Sequence, residues 1–333
     1  MEKHRIRYMK AFYERITRDG QKQLENFIIK NVEKIRRQYA EPSEFPSDKF
    51  VKIILFDTVF IIEPFLIVWY RGSRDFLLNE VWVGAIRRDL QLLENQLPYF
   101  VLEDLLLRKE PAVKIQHFTD LCRYGLVKIP GDPKFRAITY GLPNAVKLKK
   151  SGVKFKRSSA ADKYLVDIEL EKKRRLLSFY NVVELKIPRI TITDNMECLI
   201  RNLMILEQCN YPFETYICSY IDLMDSLINT EEDVDLLVEK KIIYNPSGDN
   251  AVIANMFNKF RLQIPPSQSS YYHSIYKDLT EHYNNSWNHA LSTLKRVYFS
   301  NPWRGTGTVA AIILLLLTLT QTVFTILQVV LAK

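Results

Sequence analysis

The chain is poor in the residues that build covalent or metal-bound scaffolds. It has four cysteines in 333 residues, and Cys122, Cys198, Cys209 and Cys218 include no C-x-x-C pair. That spacing argues against a disulfide framework and a cysteine zinc site. Cys198 and Cys209 would stand about 16 Å apart on one helix, too far for a bridge. The five histidines (His4, His117, His273, His282, His289) show no H-x-x-x-H spacing. Glycine and proline, at 10 and 14, are too few for a collagen-like or linker-dominated chain. No G-x-S-x-G, G-x-x-x-x-G-K-[ST] or G-x-G-x-x-G occurs, so no nucleophile elbow or phosphate-cradling glycine loop is written here. No catalytic residue, metal ligand or cofactor is assigned.

Long uncharged runs are scarce too, with one exception. Thr308–Val330 is 23 residues without a charge, about 34 Å as a helix, against about 30 Å of hydrocarbon in a bilayer. A membrane-spanning helix is expected over 306–332, with the lipid bilayer as its partner. Lys295, Arg296 and Arg304 precede it and Lys333 alone follows. The positive-inside rule then puts the bulk of the chain in the cytosol, with the plasma membrane as the favoured bilayer. The first twenty residues contain no apolar run of the signal-peptide kind. Within the span, Thr318, Gln321, Thr325 and Gln328 fall on one face. Either this face pairs with another membrane helix, of the same or a different chain, or the threonines bond back to their own helix while the glutamines snorkel.

The chain as a whole is 47% apolar and 26% charged, enough to bury a core in roughly two domains. Residues 1–130 read as helical. Ile6, Met9, Tyr13 and Ile16 form one stripe, and Leu24, Phe27, Ile28, Val32 and Ile35 another. Phe50–Tyr70 is dense in apolar residues, but Lys52, Asp57 and Glu63 would each cost several kcal/mol at a bilayer centre, so a buried core helix is expected. Pro98 splits the next apolar stretch, Asp89–Leu107. Residues 131–194 read as a basic segment with a small sheet: strands at Val153–Arg157, Leu165–Leu170 and Leu185–Ile192, with Pro188 at an edge. Residues 195–305 return to helix. Glu197 and Arg201 form an i,i+4 pair, Thr230–Asp233 resembles a capping box, and a last helix runs over Tyr271–Phe299. The fold class is therefore α+β: a mainly helical soluble body with a small central sheet, plus one C-terminal membrane helix.

Charge carries the strongest functional signal in the body. Lys147–Arg175 holds eleven basic and four acidic residues, a local +7 against +9 for the whole chain. Lys147, Lys149, Lys150, Lys154, Lys156, Arg157, Lys172, Lys173, Arg174 and Arg175 are the candidates for contact with an anionic surface. A solvated face is the plain reading. Anionic lipid or an acidic protein partner is the functional one, at about 1 kcal/mol per basic residue near such lipid. Nucleic acid ranks last, because Phe155 is the only aromatic within LKKSGVKFKR. An enzyme on an unfamiliar scaffold would have to draw on Asp57, Glu63, Asp89 and Glu94, the acids in apolar settings.

Taken in order, HRIRYMKAFYER, FVKIILFDTVFIIEPF, DLQLLENQLPYFVLEDL, LKKSGVKFK, IPRITITDNMECLIRNLMILEQC, YIDLMDSLINTEEDVDLLVEKKII and YFSNPWRGTGTVAAIILLLLTLTQT resemble the large plant family of transmembrane proteins catalogued as domain of unknown function 247 (DUF247). The resemblance runs nearly end to end. It implies a plant membrane protein with a C-terminal anchor and no assigned enzymatic activity. Some grass members are associated with self-incompatibility, which implies recognition roles in the family. Members usually carry a Gly-Pro-Tyr-His-His-like stretch upstream of the point where this sequence begins, so the resemblance also implies a shortened N-terminus. A membrane-anchored interaction or recognition module is the expected function.

Overall fold

A computed structural model describes residues 2–39, 44–71, 88–92, 97–106, 118–127, 135–137, 141–158, 164–174, 181–262, 269–298 and 302–331. The chain forms two compact units, Met1–Pro130 with Asp194–Ile217, and Gly131–Thr193 with Cys218–Lys333.

The first unit is helical. It contains α1 (Glu2–Arg15), α2 (Arg18–Arg36), α3 (Ser47–Arg71), α4 (Tyr99–Leu106) and α5 (Phe118–Leu126). Thr17 separates the first two: it is extended, and its hydroxyl accepts the Gly20 N–H at 3.2 Å. One face of α3 (Phe50, Ile54, Leu55, Val59, Ile61, Ile62) packs with Leu24, Ile28 and Ile35 of α2 and with Met9 and Phe12 of α1. The expected stripe on α1 holds at Met9, Tyr13 and Ile16, which pack on the core, but not at Ile6. Tyr8, Met9 and Phe12 are buried while Ile6 is 45% exposed, because aromatic rings offer more area to the core than an isoleucine does. The Tyr8 ring meets Phe60 edge-on at 5.9 Å. Pro64 does not interrupt α3, which runs through it. Pro98 stands just before α4, where its missing N–H costs nothing.

The second unit holds the sheets. It contains α6 (Ala145–Lys150), β1 (Arg136–Ala137), β2 (Lys154–Arg157), β3 (Glu169–Arg174), β4 (Asn181–Ile187) and β5 (Ile190–Thr191). The chain returns to the first unit for α7 (Met196–Asn210), and α8 (Tyr216–Leu227) follows. Then come α9 (Glu231–Glu239), β6 (Ile243–Tyr244), α10 (Asn250–Leu262), β7 (Ser269–Ser270), α11 (His273–Asn284), α12 (Ser286–Tyr298) and α13 (Pro302–Leu331). The main sheet has order β2-β4-β3, with β2 parallel and β3 antiparallel to the central β4. Phe155, Val183, Leu185 and Ile187 are buried.

Two strand expectations shift. Val166 and Ile168 are buried as their alternation implied, but the residues that pair are Glu169–Arg174. Val166 is held differently: its carbonyl accepts the Tyr272 hydroxyl at 2.5 Å. Leu185–Ile192 is not one strand. β4 ends before Pro188, which has no N–H to donate, and Ile190 and Thr191 pair instead with β6. The expected last helix is also two. Asn285 breaks it in an extended conformation (φ −79°, ψ 108°), and its side-chain oxygen accepts the Trp287 N–H at 3.0 Å, starting α12.

The capping motif of α9 does more than its spacing implied. Asp233 is fully buried. It accepts the Thr230 N–H and hydroxyl at 3.1 Å each, and also the Val146 N–H (2.9 Å) and the Asn144 amide (3.1 Å) at the start of α6. One carboxylate thus serves the N-termini of two helices.

Candidate functional site

The basic segment is partly neutralised by its own fold. On the outer face of the sheet, Lys156 reaches Glu184 at 3.0 Å, and Lys173 reaches Glu184 at 2.8 Å and Glu171 at 3.0 Å. Lys186 closes the chain on Glu171. Pairing β3 and β2 on either side of β4 brings these residues together, because Glu171 lies opposite Glu184 and Lys156 opposite Lys186. Like charges face each other across the ladder, and the diagonal neighbours neutralise them. Glu184 lies almost fully covered beneath the lysines. Their hydrogen bonds, Lys173 first and Lys156 next, hold its carboxyl down at about 2. Lys172 turns the other way, to Asp278 of α11 at 2.9 Å. Lys149 stands 3.7 Å from Glu239. Lys147, Lys150 and Lys154 are exposed and have no ion pair among the described residues, and Arg157 is exposed at the end of β2. Arg175 and the Arg174 side chain lie outside the described residues.

Lys154, with Lys149, borders a cleft of about 190 Å³ lined also by Ser151, Gly152, His282 and Asn288, with Val153, Val182 and Ser292 completing it. His282 braces it. The Asn288 amide nitrogen lies 3.1 Å from Nδ1 and 2.9 Å from the His282 carbonyl, so Nδ1 is the acceptor and Nε2–H donates to the Ser151 carbonyl at 3.0 Å. Burial, above all, pushes this imidazole down; the hydrogen bond to Ser151 opposes the shift, and the Lys172 charge adds to it. It is the neutral form that fits.

Of the four acids expected for an enzyme, the structure describes the side chains of two. Asp89 is exposed. Asp57 is half-buried on α3, where its charge joins burial in pushing the Tyr39 phenol up to about 12. Glu94 and the side chain of Glu63 lie outside the described residues. Two buried polar clusters escaped the sequence reading. In the first unit the Arg123 guanidinium, fully buried, donates to Glu207 at 2.9 Å and to the Glu214 carbonyl at 2.7 Å. It lies 4.3 Å from the Tyr211 ring, whose hydroxyl donates to Asp120 at 2.8 Å. In the second unit Asp225 meets Arg261 at 3.1 Å, and Asp222, three residues earlier on α8, is pushed up to about 6, chiefly by burial. Polar residues placed i,i+3 within the apolar segments FTDLCRYGL and YICSYIDLMDSL were the available signal.

Helix α13 includes the one stretch among the described residues long and apolar enough to cross a membrane, Thr306–Thr325, none of it buried. Its threonines are satisfied internally. Thr318 donates to the Leu314 and Leu315 carbonyls, Thr322 to Thr318 and Thr325 to Gln321, at 2.7–3.0 Å. Gln321 and Gln328 are exposed on the same helix.

The family model for DUF247, described as plant protein of unknown function, matches residues 1–114 and 107–317. The chain belongs to this family. Among curated proteins, this DUF247 member is 23% identical over 388 residues to UPF0481 protein At3g47200 of Arabidopsis thaliana, covering 98% of the chain and 79% of that relative. It is 25% identical over 176 residues to putative UPF0481 protein At3g02645 of the same plant, covering 53% of the chain and 31% of the relative. No solved structure matches the chain.

Proposed function

We propose that this DUF247 protein is a single-pass membrane protein tethered by α13, with its body in the cytosol acting as an interaction or recognition module. One observation carries the tether: Thr306–Thr325 is charge-free and uncovered along its whole length. Leaving such leucines in water forgoes about 1.5–3 kcal/mol each relative to burial, and a bilayer removes that cost. Lys295, Arg296 and Arg304 against Lys333 support the cytosolic side. Lys147, Lys150 and Lys154, without an ion pair among the described residues, support an anionic partner, either lipid or an acidic protein. With the threonines bonded within their own helix, the Gln321 and Gln328 amides are the groups that would pair α13 with another membrane helix.

The test is extraction of membranes from cells making the full chain. The protein should stay in the pellet through alkaline carbonate and leave only with detergent. Recovery in the supernatant of a detergent-free lysate would end this reading. Protection of an N-terminal tag from protease in intact vesicles would move the body to the other side of the membrane.

A further inference from the structure

Lys147–Arg157 holds six basic residues and no acid. Its middle is folded as a tight corner: α6 ends at Lys150, Gly152 turns with φ +100°, and β2 begins at Lys154. Only glycine adopts that backbone readily. A Cβ there would stand 3.6 Å from Ser292 on α12. The 190 Å³ cleft lies between this corner and the α11–α12 turn.

The lining has a definite chemical bias. Two lysines (Lys149, Lys154), Ser292, Asn288 and the neutral His282 line it together with Val153 and Val182, and no acidic residue lines it. Lys154 has no ion pair among the described residues, and the Lys149 contact to Glu239 is long and exposed. Most carbonyls at the end of α6 are engaged: Lys147, Leu148 and Lys149 accept from Ser151, Val153 and Gly152, and Ser151 accepts from His282. The helix end therefore offers little to repel an anion. Asn288 stands in the first turn of α12, where a helix dipole is positive, and Ser292 one turn further on.

The geometry points to a binding site for a phosphoryl group carried on a membrane lipid headgroup. The volume equals that of about six waters at about 30 Å³ each, enough for the phosphoryl group and part of the alcohol it esterifies. Lysines supply charge, and the serine hydroxyl supplies a directional donor. The lipid source follows from the tether, so this inference rests on the anchoring proposed above. Ser292 precedes Thr306, where the apolar span begins, by fourteen residues. Helix rise and maximum chain extension together hold the cleft within about 30 Å of that point. Confinement at that range gives headgroups an effective concentration on the order of millimolar, so a modest intrinsic affinity suffices.

The full chain in detergent micelles is titrated calorimetrically with a water-soluble dibutanoyl phosphatidylinositol phosphate and, separately, with inorganic phosphate. The lipid analogue should bind saturably at one per chain and at least tenfold more tightly than phosphate. Ser292→Leu, which fills the cleft, and Lys154→Gln should each weaken it tenfold or more without changing the thermal melt, while Lys259→Gln on α10 leaves it unchanged. Equal binding of inorganic phosphate would reassign the site to a free anion and overturn the lipid source. Binding indifferent to Ser292→Leu, tighter binding of a phosphorylated peptide, or no binding would overturn the site itself. Carbonate extraction does not depend on the cleft, so the tether stands or falls separately.

Discussion

Helices α3 and α13 are the two long apolar helices among the described residues, and they meet opposite fates. α3 carries Lys52, Asp57 and Glu63 within its 25 residues, and it buries Phe50, Ile54, Val59 and Ile62 against α1 and α2. α13 has no charge between Thr306 and Thr325 and covers none of that stretch. Apolar density alone does not separate them. Charge does, because a helix with protein on one side can keep ionisable groups on the other, whereas a helix ringed by lipid cannot.

That contrast can be broken most strongly from the α13 side. Leu315→Lys with Leu319→Lys should cost about 5–7 kcal/mol of insertion and move the chain from the carbonate-resistant pellet to the soluble fraction. Retention of the double variant in the pellet would mean something other than α13 holds the protein there. Next comes one truncation made in both helices. Ile54→Ala in α3 should lower stability by about 2–5 kcal/mol, with the spread set by how far the site collapses. Leu316→Ala in α13 should leave the thermal melt of the body unmoved. Equal losses would place both helices in the core.

The smallest effect sharpens the rule about ionisable groups on covered helices. Asp222 on α8 is raised, mainly by burial, from 3.8 to about 6. Between those values the folded chain holds a proton that the unfolded chain has released, so this group's contribution to stability falls as pH rises through that window. Asp222→Asn should therefore stabilise at pH 7, by at most about 3 kcal/mol, and the gain should vanish near pH 4. Thermal melts at the two pH values decide it. A variant less stable than the parent at pH 7 would show that the charged form makes a contact the protein needs.

What was legible in the sequence was local. The Glu197–Arg201 pair forms at 2.8 Å, the Thr230–Asp233 cap forms, and helix dominates with a small sheet between. Each depends on residues at most four apart, or on composition. What was not legible joins distant residues. Arg123 and Glu207 are separated by 84 positions, and Arg261 and Asp225 by 36. Asp233 reaches α6 across 87. β3 was misplaced for the same reason: EKKR looks like a solvated run until β4 is set beside it, and then its lysines find glutamates. The break at Asn285 was locally encoded, as an Asx cap, yet masked by apolar periodicity on both sides. The basic segment was visible as charge, but which of its lysines stay available depends on strand order, which spacing does not reveal.

The seam Lys156–Glu184–Lys173–Glu171–Lys186 has one more consequence. Hydrogen bonds from lysine hold Glu171 and Glu184 below the usual carboxylate range and raise Lys173 above its own. The two glutamates and Lys173 thus keep their charges from mildly acid to mildly alkaline conditions. Acidity in a cell wall or vacuole would leave this face patterned as in neutral cytoplasm, so the sheet stays zipped on either side of a bilayer. Dissolved ions are what can loosen it, by screening charges over about 8 Å at physiological strength.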